Sequence, residues 1–227
     1  ADAQFLLALS YKDGNDVPKD FREAAVWYTR AADQGHADAQ FYLAQSYKEG
    51  LGVLMDNHAA ATWYKKAASQ GHSDAQFFLA RCFENGSGVP QSSEQAVAWY
   101  TQAVDQRHTG AEFNLARCYD LGRGVQQDIK KAVELYTRAG GSGHSDAQYY
   151  LASCYREGTG VYQDSVQAVQ WYSRAAEQGH ANAEYYLGVS YVEGDGVEKN
   201  EKQAVRWFTK AAEQGHAAAQ RNLDDLL

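Results

Sequence analysis

The sequence predicts an all-α protein, a solenoid of six helix-turn-helix repeats followed by a C-terminal partial repeat. Three observations favour this class. The pair Gly-His returns at multiples of 36 residues. Apolar residues follow the three-to-four-residue spacing of helices. The chain has 2 prolines in 227 residues and is rich in alanine, the residue with the highest helix propensity.

The repeat keeps its length along the whole chain. Tryptophan marks the same column in five repeats, and Leu135 takes the remaining place. The tryptophans are Trp27, Trp63, Trp99, Trp171 and Trp207. The repeats therefore span about 1–36, 37–72, 73–108, 109–144, 145–180 and 181–216, with a capping helix over 217–227. Together they predict one solenoid domain, residues 1–227.

The first helix of each repeat is predicted over the thirteen residues that precede a glycine turn. In the second repeat it covers 37–49, with Leu43 and Tyr47 on one apolar stripe, and it ends at Gly50. Three repeats predict a capping box at its start. The predicted pairs are Ser73 with Gln76, Thr109 with Glu112, and Ser145 with Gln148.

The second helix is predicted to begin at a column of good N-cap residues and to end at the Gly-His pair. The N-cap column contains Asp20, Asp56, Ser92, Asp128, Asp164 and Asn200. A lone helix pair cannot bury its apolar face, so neighbouring repeats must stack. We expect the tryptophans to be buried in the layer between repeats, where truncation to alanine would cost about 3–5 kcal/mol.

Charge and hydropathy exclude several partners. The net charge of -8 disfavours nucleic acid, because phosphate binding needs a basic surface. No apolar stretch approaches the roughly 20 residues of a membrane span, and the given N-terminus does not have the charged-then-apolar pattern of a secretory leader. The chain opens inside a repeat, as a trimmed fragment would, so no compartment is assigned. We expect a monomer.

The histidine column does not predict a metal site. It contains His36, His72, His108, His144, His180 and His216. Successive members lie about 10 Å apart if repeats pack as helices do, whereas zinc needs ligands near 2 Å. We predict that their rings bond free carbonyls at helix C-termini. The free cysteines Cys82, Cys118 and Cys154 share a column too widely spaced for disulfides and should fill core space.

Enzyme chemistry finds no support in the sequence. The Gly-x-Gly turns lack the lysine of a phosphate-binding loop and recur as structural stops. Carboxylate–histidine pairs recur in every repeat, whereas a catalytic constellation would break the repeat symmetry. We therefore predict neither catalysis, a metal nor a cofactor.

The repeat pattern resembles the Sel-1-like repeat, a relative of the tetratricopeptide repeat. The matching residues are the Ala-x-x-x-Leu-Ala-x-x-Tyr segment, the Gly-x-Gly-Val turn, the Ala-x-x-Trp-Tyr segment and the Gly-His pair. Departures are local, with Asp16 at a turn glycine and Arg107 at the glycine before a histidine. The resemblance implies a right-handed α/α superhelix that acts as an adaptor or scaffold for protein complexes.

By analogy with tetratricopeptide repeats, certain first-helix positions should line a concave groove. Positions are counted from the first residue of each repeat. Aromatic position five offers Phe41, Phe77, Phe113, Tyr149 and Tyr185, variable position nine offers Gln45, Arg81 and Arg117, and position twelve offers Lys48, Glu84, Asp120 and Arg156. Plain core packing is the alternative explanation for the aromatic column. Arg81 and Arg117 are predicted to form a basic pair that holds a carboxylate.

The leading hypothesis is a scaffold that binds a partner protein or peptide of unknown identity in this groove. The alternative is an architectural or oligomerising spacer of a larger protein, which would bind no groove ligand. Binding of single-stranded nucleic acid is a third class, which the acidic charge disfavours.

Overall fold

The computed structural model describes residues 1–226, and within that range every regular element is an α-helix. The thirteen helices there are α1 (Asp2–Asp13), α2 (Phe21–Ala32), α3 (Ala37–Glu49), α4 (Asn57–Ser69), α5 (Ser73–Asn85), α6 (Ser93–Asp105), α7 (Thr109–Leu121), α8 (Ile129–Gly141), α9 (Ser145–Glu157), α10 (Ser165–Glu177), α11 (Ala181–Glu193), α12 (Glu201–Glu213) and α13 (Ala217–Leu226). The all-α class and two helices per repeat are confirmed. Leu227, the last residue of the predicted capping helix, lies outside the described residues.

The chain forms two compact units. The N-terminal unit contains Ala1–Ala111 and Arg123–Val125, and the C-terminal unit contains Glu112–Gly122 and the residues from Gln126 onward. Each unit consists of helix pairs stacked on their neighbours. The single solenoid domain over 1–227 stays a prediction, as does the hand of the superhelix.

The predicted N-caps of the second helices are confirmed. At α4 the Asp56 carboxylate accepts hydrogen bonds from the backbone N–H groups of His58 at 2.9 Å and Ala59 at 3.0 Å. Asp20, Ser92, Asp128, Asp164 and Asn200 cap their helices in the same way. These bonds satisfy first-turn donors that have no partner within the helix.

From α3 onward the first helices begin differently from the prediction, because histidine is their N-cap. His72 has extended backbone angles, and its Nδ1 accepts a hydrogen bond from the N–H of Ala75 at 3.2 Å. Ser73 is already inside the helix, and the Gln76 amide donates to the carbonyl of Ala68. The capping boxes predicted from Ser73, Thr109 and Ser145 are therefore wrong, since His72, His108 and His144 make the cap bond.

The histidine rings also do not serve helix C-termini as predicted. The second helices end in a Schellman motif, in which backbone N–H groups satisfy the last carbonyls. At α4 the N–H of Gly71 bonds the carbonyl of Ala68, and the N–H of His72 bonds that of Ala67. The backbone of this histidine therefore ends one helix while its ring begins the next.

The Schellman motif requires a left-handed residue before the histidine, which glycine adopts without strain. Arg107 takes this place before His108 with φ 61° and makes the same backbone bonds. We expect Arg107→Gly to raise the free energy of unfolding by about 0.5–1 kcal/mol. It relieves a left-handed penalty of about 1–2 kcal/mol, partly offset by the greater entropy of glycine in the unfolded chain.

Urea unfolding followed by circular dichroism measures this effect. Arg107→Ala is the matched control, because it removes the same side chain and keeps the strained φ. Equal stability of the two variants would show that the arginine side chain, and not the backbone, sets the difference.

The second glycine of the turn lets the backbones of neighbouring repeats touch. Gly88 has φ +74°, and a Cβ at this position would overlap the carbonyl of Asn57 at the start of α4. Gly52, Gly124 and Gly196 stand in the same relation to Phe21, Ser93 and Ser165. In the first repeat Asp16 occupies this position, and the described chain contains no second helix before it whose backbone it would contact. The glycine is thus required by the junction as well as by the turn.

The layer between helices is filled by the residue after the tryptophan. Tyr28, Tyr64, Tyr100, Tyr136, Tyr172 and Phe208 are all at most 1% exposed. The tryptophans lie on the flank of this column, and only Trp207 among them is buried, at 9% exposure. The other four tryptophans pack against the core from this flank but are only partly buried. The expectation of full burial is therefore wrong for them, because helical geometry turns adjacent residues about 100° apart.

Candidate functional site

The position-five aromatics pack against the histidine column. Phe77 stacks on His108 with ring centroids 4.5 Å apart, and Tyr149 stacks on His180 at 4.6 Å. Phe41, Phe113 and Tyr185 stack on the corresponding histidines. Phe41 and Phe113 are buried, and the other three are partly buried. These rings leave little free surface, and their packing fixes the orientation of the histidine caps.

A second aromatic column, at position six, was not singled out from the sequence. Tyr42, Phe78, Tyr150 and Tyr186 are partly buried, and each stacks on the buried tyrosine of the preceding repeat. The available signal was a second aromatic residue directly after position five in four of six repeats. These rings form the apolar part of the first-helix face.

Cations from the preceding repeat lie over these position-six rings. Lys48 Nζ is 4.6 Å from the ring centroid of Phe78, and the Arg156 guanidinium carbon is 4.1 Å from that of Tyr186. From position nine, the Arg117 guanidinium carbon is 5.5 Å from the Tyr150 centroid. Such contacts are worth about 0.5–1 kcal/mol where water has access, so a ligand can compete for these cations.

The basic residues differ in how they are neutralised. Arg156 pairs with Glu157 at 2.8 Å. Among the described residues, no carboxylate lies within ion-pair distance of Lys48, Arg81 or Arg117. Arg81 belongs to the N-terminal unit and Arg117 to the C-terminal unit, and their action as a pair stays a prediction. Lys48 and Arg81 both line one recess of the N-terminal unit.

Positions nine and twelve also decide whether the buried tyrosine hydroxyl has a partner. Tyr100 donates to the Glu84 carboxylate at 2.7 Å, and Tyr136 donates to Asp120 at 3.2 Å. In the fifth repeat the hydroxyls of Tyr172 and Ser153 are 3.1 Å apart. The sixth repeat has Val189 and Val192 at these positions and Phe208 in place of tyrosine, so no hydroxyl is present.

In the first two repeats the buried tyrosine hydroxyl has no such hydrogen bond. The hydroxyls of Tyr28 and Tyr64 are buried without a hydrogen-bond partner, and so is the amide oxygen of Gln45. Burial raises the pKa of both tyrosines well above the ordinary value, so both hydroxyls remain protonated donors at neutral pH. Unpaired buried polar atoms are rare in folded proteins, and here they coincide with Lys12 and Lys48 at position twelve.

Comparison with known proteins fits the fold and the repeat boundaries. The Sel1 repeat family matches residues 1–36, 37–72, 73–108, 109–144, 145–180 and 181–216.

This chain belongs to the Sel1 repeat family.

Solved Sel1-repeat structures give the same architecture. c5321 of uropathogenic Escherichia coli, described as a protective antigen with an SLR fold, is 33% identical with a TM-score of 0.96. The match covers 100% of this chain and 48% of c5321, so the chain spans about half the length of that relative. A Sel1 repeat protein of Oxalobacter formigenes is 34% identical with a TM-score of 0.83, covering 92% of this chain and 84% of that one. A search of curated proteins found no match.

The histidines of the Sel1 repeats form a structural ladder. The Nε2 of His72 lies 3.2 Å from Asp38 of the preceding first helix, and His180 stands in the same relation to Asp146. Because Nδ1 accepts the cap bond, Nε2 carries the hydrogen of the neutral ring, and its N–H donates a hydrogen bond to the aspartate carboxylate. In the described residues, no group of three or more His, Cys, Asp and Glu side chains is arranged to hold a metal ion.

Other titratable groups are held by burial. Desolvation lowers the pKa of His144 below its ordinary value, against the opposing effect of Asp146. The same effect raises the pKa of Cys154 to about 11, because burial disfavours the charged thiolate, and the side chain stays a thiol. Within residues 1–226, none of the helices combines the length and apolar character that a membrane crossing needs.

Proposed function

We propose that this chain is a protein-interaction scaffold that binds a peptide segment of a partner along the first-helix face of its Sel1 repeats. Sel1-repeat proteins are generally protein-interaction modules and typically non-enzymatic. The finer assignment concerns which face binds and which residues anchor the ligand. It is supported by one observation: the face carries cations without carboxylate partners beside partly buried rings.

Variation along the repeat supports the same face. The caps, turn glycines and buried tyrosines recur because every junction needs them. Positions nine and twelve change in charge and size from Gln45 and Lys48 to Val189 and Val192. Neither the turn nor the helix caps require this variation. Apart from its effect on the buried tyrosine hydroxyl, it can therefore encode a preference for one ligand.

Charge and aromatic content point to the chemistry of the ligand. In the N-terminal unit Lys48 lies over the ring of Phe78, and in the C-terminal unit Arg117 lies over the ring of Tyr150. Each contact combines a donor for carboxylates with a flat apolar surface. A peptide with acidic and apolar side chains in alternation would satisfy both. Arginine and aromatic residues are the usual energetic anchors of interfaces.

Selection from a random peptide library on the immobilised full chain tests the proposal. We expect peptides enriched in acidic residues, with micromolar Kd by fluorescence anisotropy. The double variant Arg81→Glu with Arg117→Glu should lower the affinity for these peptides at least about tenfold, because interfacial charge contacts are lost. Helicity and the melting temperature should remain unchanged.

Lys65→Glu is the control for each of the two substitutions, because it makes one such charge reversal at an exposed second-helix position. The groove assignment fails if Lys65→Glu and the double variant weaken binding equally, or if neither does. Light scattering over a range of concentrations checks the expected monomer, and self-association through the first-helix face would favour the spacer alternative.

A further inference from the structure

A recess of about 80 Å³ lies between α3, α4 and α5 in the N-terminal unit. Its polar lining consists of Lys48, Asn57, Tyr64, Arg81, Asn85 and Ser87, and its lining contains no acidic residue. A water molecule needs roughly 10–15 Å³ on the same scale. The recess therefore has room for a carboxylate group.

The charged side chains that line the recess, Lys48 and Arg81, are both cations. Tyr64 is fully buried, and its hydroxyl has no partner. Lys48 and Arg81 have no carboxylate partner within the described chain. Lys48 lies over the ring of Phe78, and Arg81 lies over the ring of Phe77. Two cations and a neutral hydroxyl donor around one small space match the hydrogen-bonding and charge of an anionic acceptor.

The other repeats show how the same hydroxyl is satisfied when an acceptor is built in. Glu84 and Asp120 place a carboxylate on the hydroxyls of Tyr100 and Tyr136. At the corresponding position of the second repeat the chain has Lys48. An external carboxylate beside Tyr64 would thus reproduce an arrangement that the third and fourth repeats make internally.

The neighbouring recess of the first repeat is less suited to an anion. Tyr28 is unpaired there too, and Lys12 and Lys19 line the space. However, Asp13 and Glu49 line it as well, and Asp13 lies 3.4 Å from Lys12. The lysines of this recess are therefore balanced by acidic residues in its own lining. The recess at Tyr64 differs because its lining contains cations and no acidic residue.

We propose that the recess at Tyr64 binds a carboxylate of the partner peptide, with Arg81 and Lys48 supplying the charge and the Tyr64 hydroxyl supplying a hydrogen bond. The origin of that carboxylate in a peptide rests on the proposed function. Entry requires Lys48 or Arg81 to shift outward, because the hydroxyl itself is buried. Both side chains lie over rings in contacts worth about 0.5–1 kcal/mol, which a charged ligand can replace.

Nuclear magnetic resonance titration of the isotope-labelled full chain tests the site with small probes. N-acetyl-alanyl-alanine offers a terminal carboxylate, and N-acetyl-aspartate α-amide offers a side-chain carboxylate. N-acetyl-alanyl-alanine amide has neither. We expect at least one carboxylate probe to shift amide signals around Lys48, Tyr64 and Arg81 with a Kd of about 1 mM, as its size allows. The stronger of the two identifies the source of the carboxylate.

Two matched variants separate binding from structure. Tyr64→Phe should weaken the probe about tenfold, since a hydrogen bond to a charged group is lost, while the urea midpoint stays equal or rises. Tyr100→Phe should lower the urea midpoint, because it leaves Glu84 without its partner, and should leave the probe affinity unchanged within a factor of about two.

Three results would overturn the site. They are equal shifts with the neutral amide, unchanged affinity in Tyr64→Phe, or tighter binding of inorganic phosphate than of either carboxylate at these amides. If selected peptides bind but the probes do not, the recess fails and the scaffold function stands. If the probes bind as expected but no peptide does, the scaffold function fails and the recess is a site for a small organic acid.

Discussion

Gly88→Ala is expected to lower the free energy of unfolding by about 3–4 kcal/mol. Alanine at φ +74° adds a left-handed penalty of about 1–2 kcal/mol. Its Cβ would also overlap the Asn57 carbonyl, which is backbone at the start of a helix and cannot rotate away. Overpacking that forces backbone shifts costs typically about 1–3 kcal/mol more.

Gly71→Ala is the matched control for this prediction. Gly71 has φ +89°, and a Cβ there would meet no atom within 4 Å. It should therefore show only the conformational part, about 1–2 kcal/mol. Urea unfolding by circular dichroism compares the two, and the slope m must be reported with the midpoint, because stacked repeats can unfold in more than one step. Equal losses would mean that the junction relaxes freely around the new methyl group.

Tyr172→Ala is expected to cost about 4–5 kcal/mol, more than truncation of the tryptophan beside it. Tyr172 is 0% exposed, stacks on Tyr186 with centroids 5.5 Å apart, and bonds the Ser153 hydroxyl. Truncating a fully buried aromatic residue leaves a cavity in addition to the lost burial. Trp171 is partly buried, with Arg174 over its ring at 4.3 Å, and Trp171→Ala should cost about 2 kcal/mol.

The two residues are neighbours on α10, so helix propensity and position along the chain are shared. Thermal and urea unfolding of both variants measure the order of the two losses. If Trp171→Ala lost more free energy of unfolding than Tyr172→Ala, tryptophan and not tyrosine would be the main core residue, which would contradict this packing.

Much of the fold could be predicted because the repeat supplies six copies of each local signal. The second-helix caps and the turn glycines follow from residue chemistry that does not depend on distant contacts. The role of His72 could not be predicted in this way. His72 directly precedes α5 and is separated from the end of α4 only by Gln70 and Gly71, so a ring there can serve the end of one helix or the beginning of the next.

The core column was misjudged by one residue for a related reason. Trp63 and Tyr64 are both large and aromatic, and the apolar stripe fixes the phase of a helix only to within about one position. Size favoured tryptophan, whereas the packing buries tyrosine completely. The charged positions Lys48, Arg81 and Glu84 could be selected from their variation alone. The unpaired hydroxyl of Tyr64 could not, because satisfaction of a buried group depends on distances that no sequence pattern contains.

The close backbone contact at Gly88 has a consequence for how such a chain can evolve. The contact joins main-chain atoms and a residue without a side chain, so it does not depend on which amino acids occupy the first-helix face. Tandem duplication of a 36-residue segment would recreate the same junction each time. New ligand preferences could then arise by exchanging or copying whole repeats, without re-optimising the contacts that hold them together.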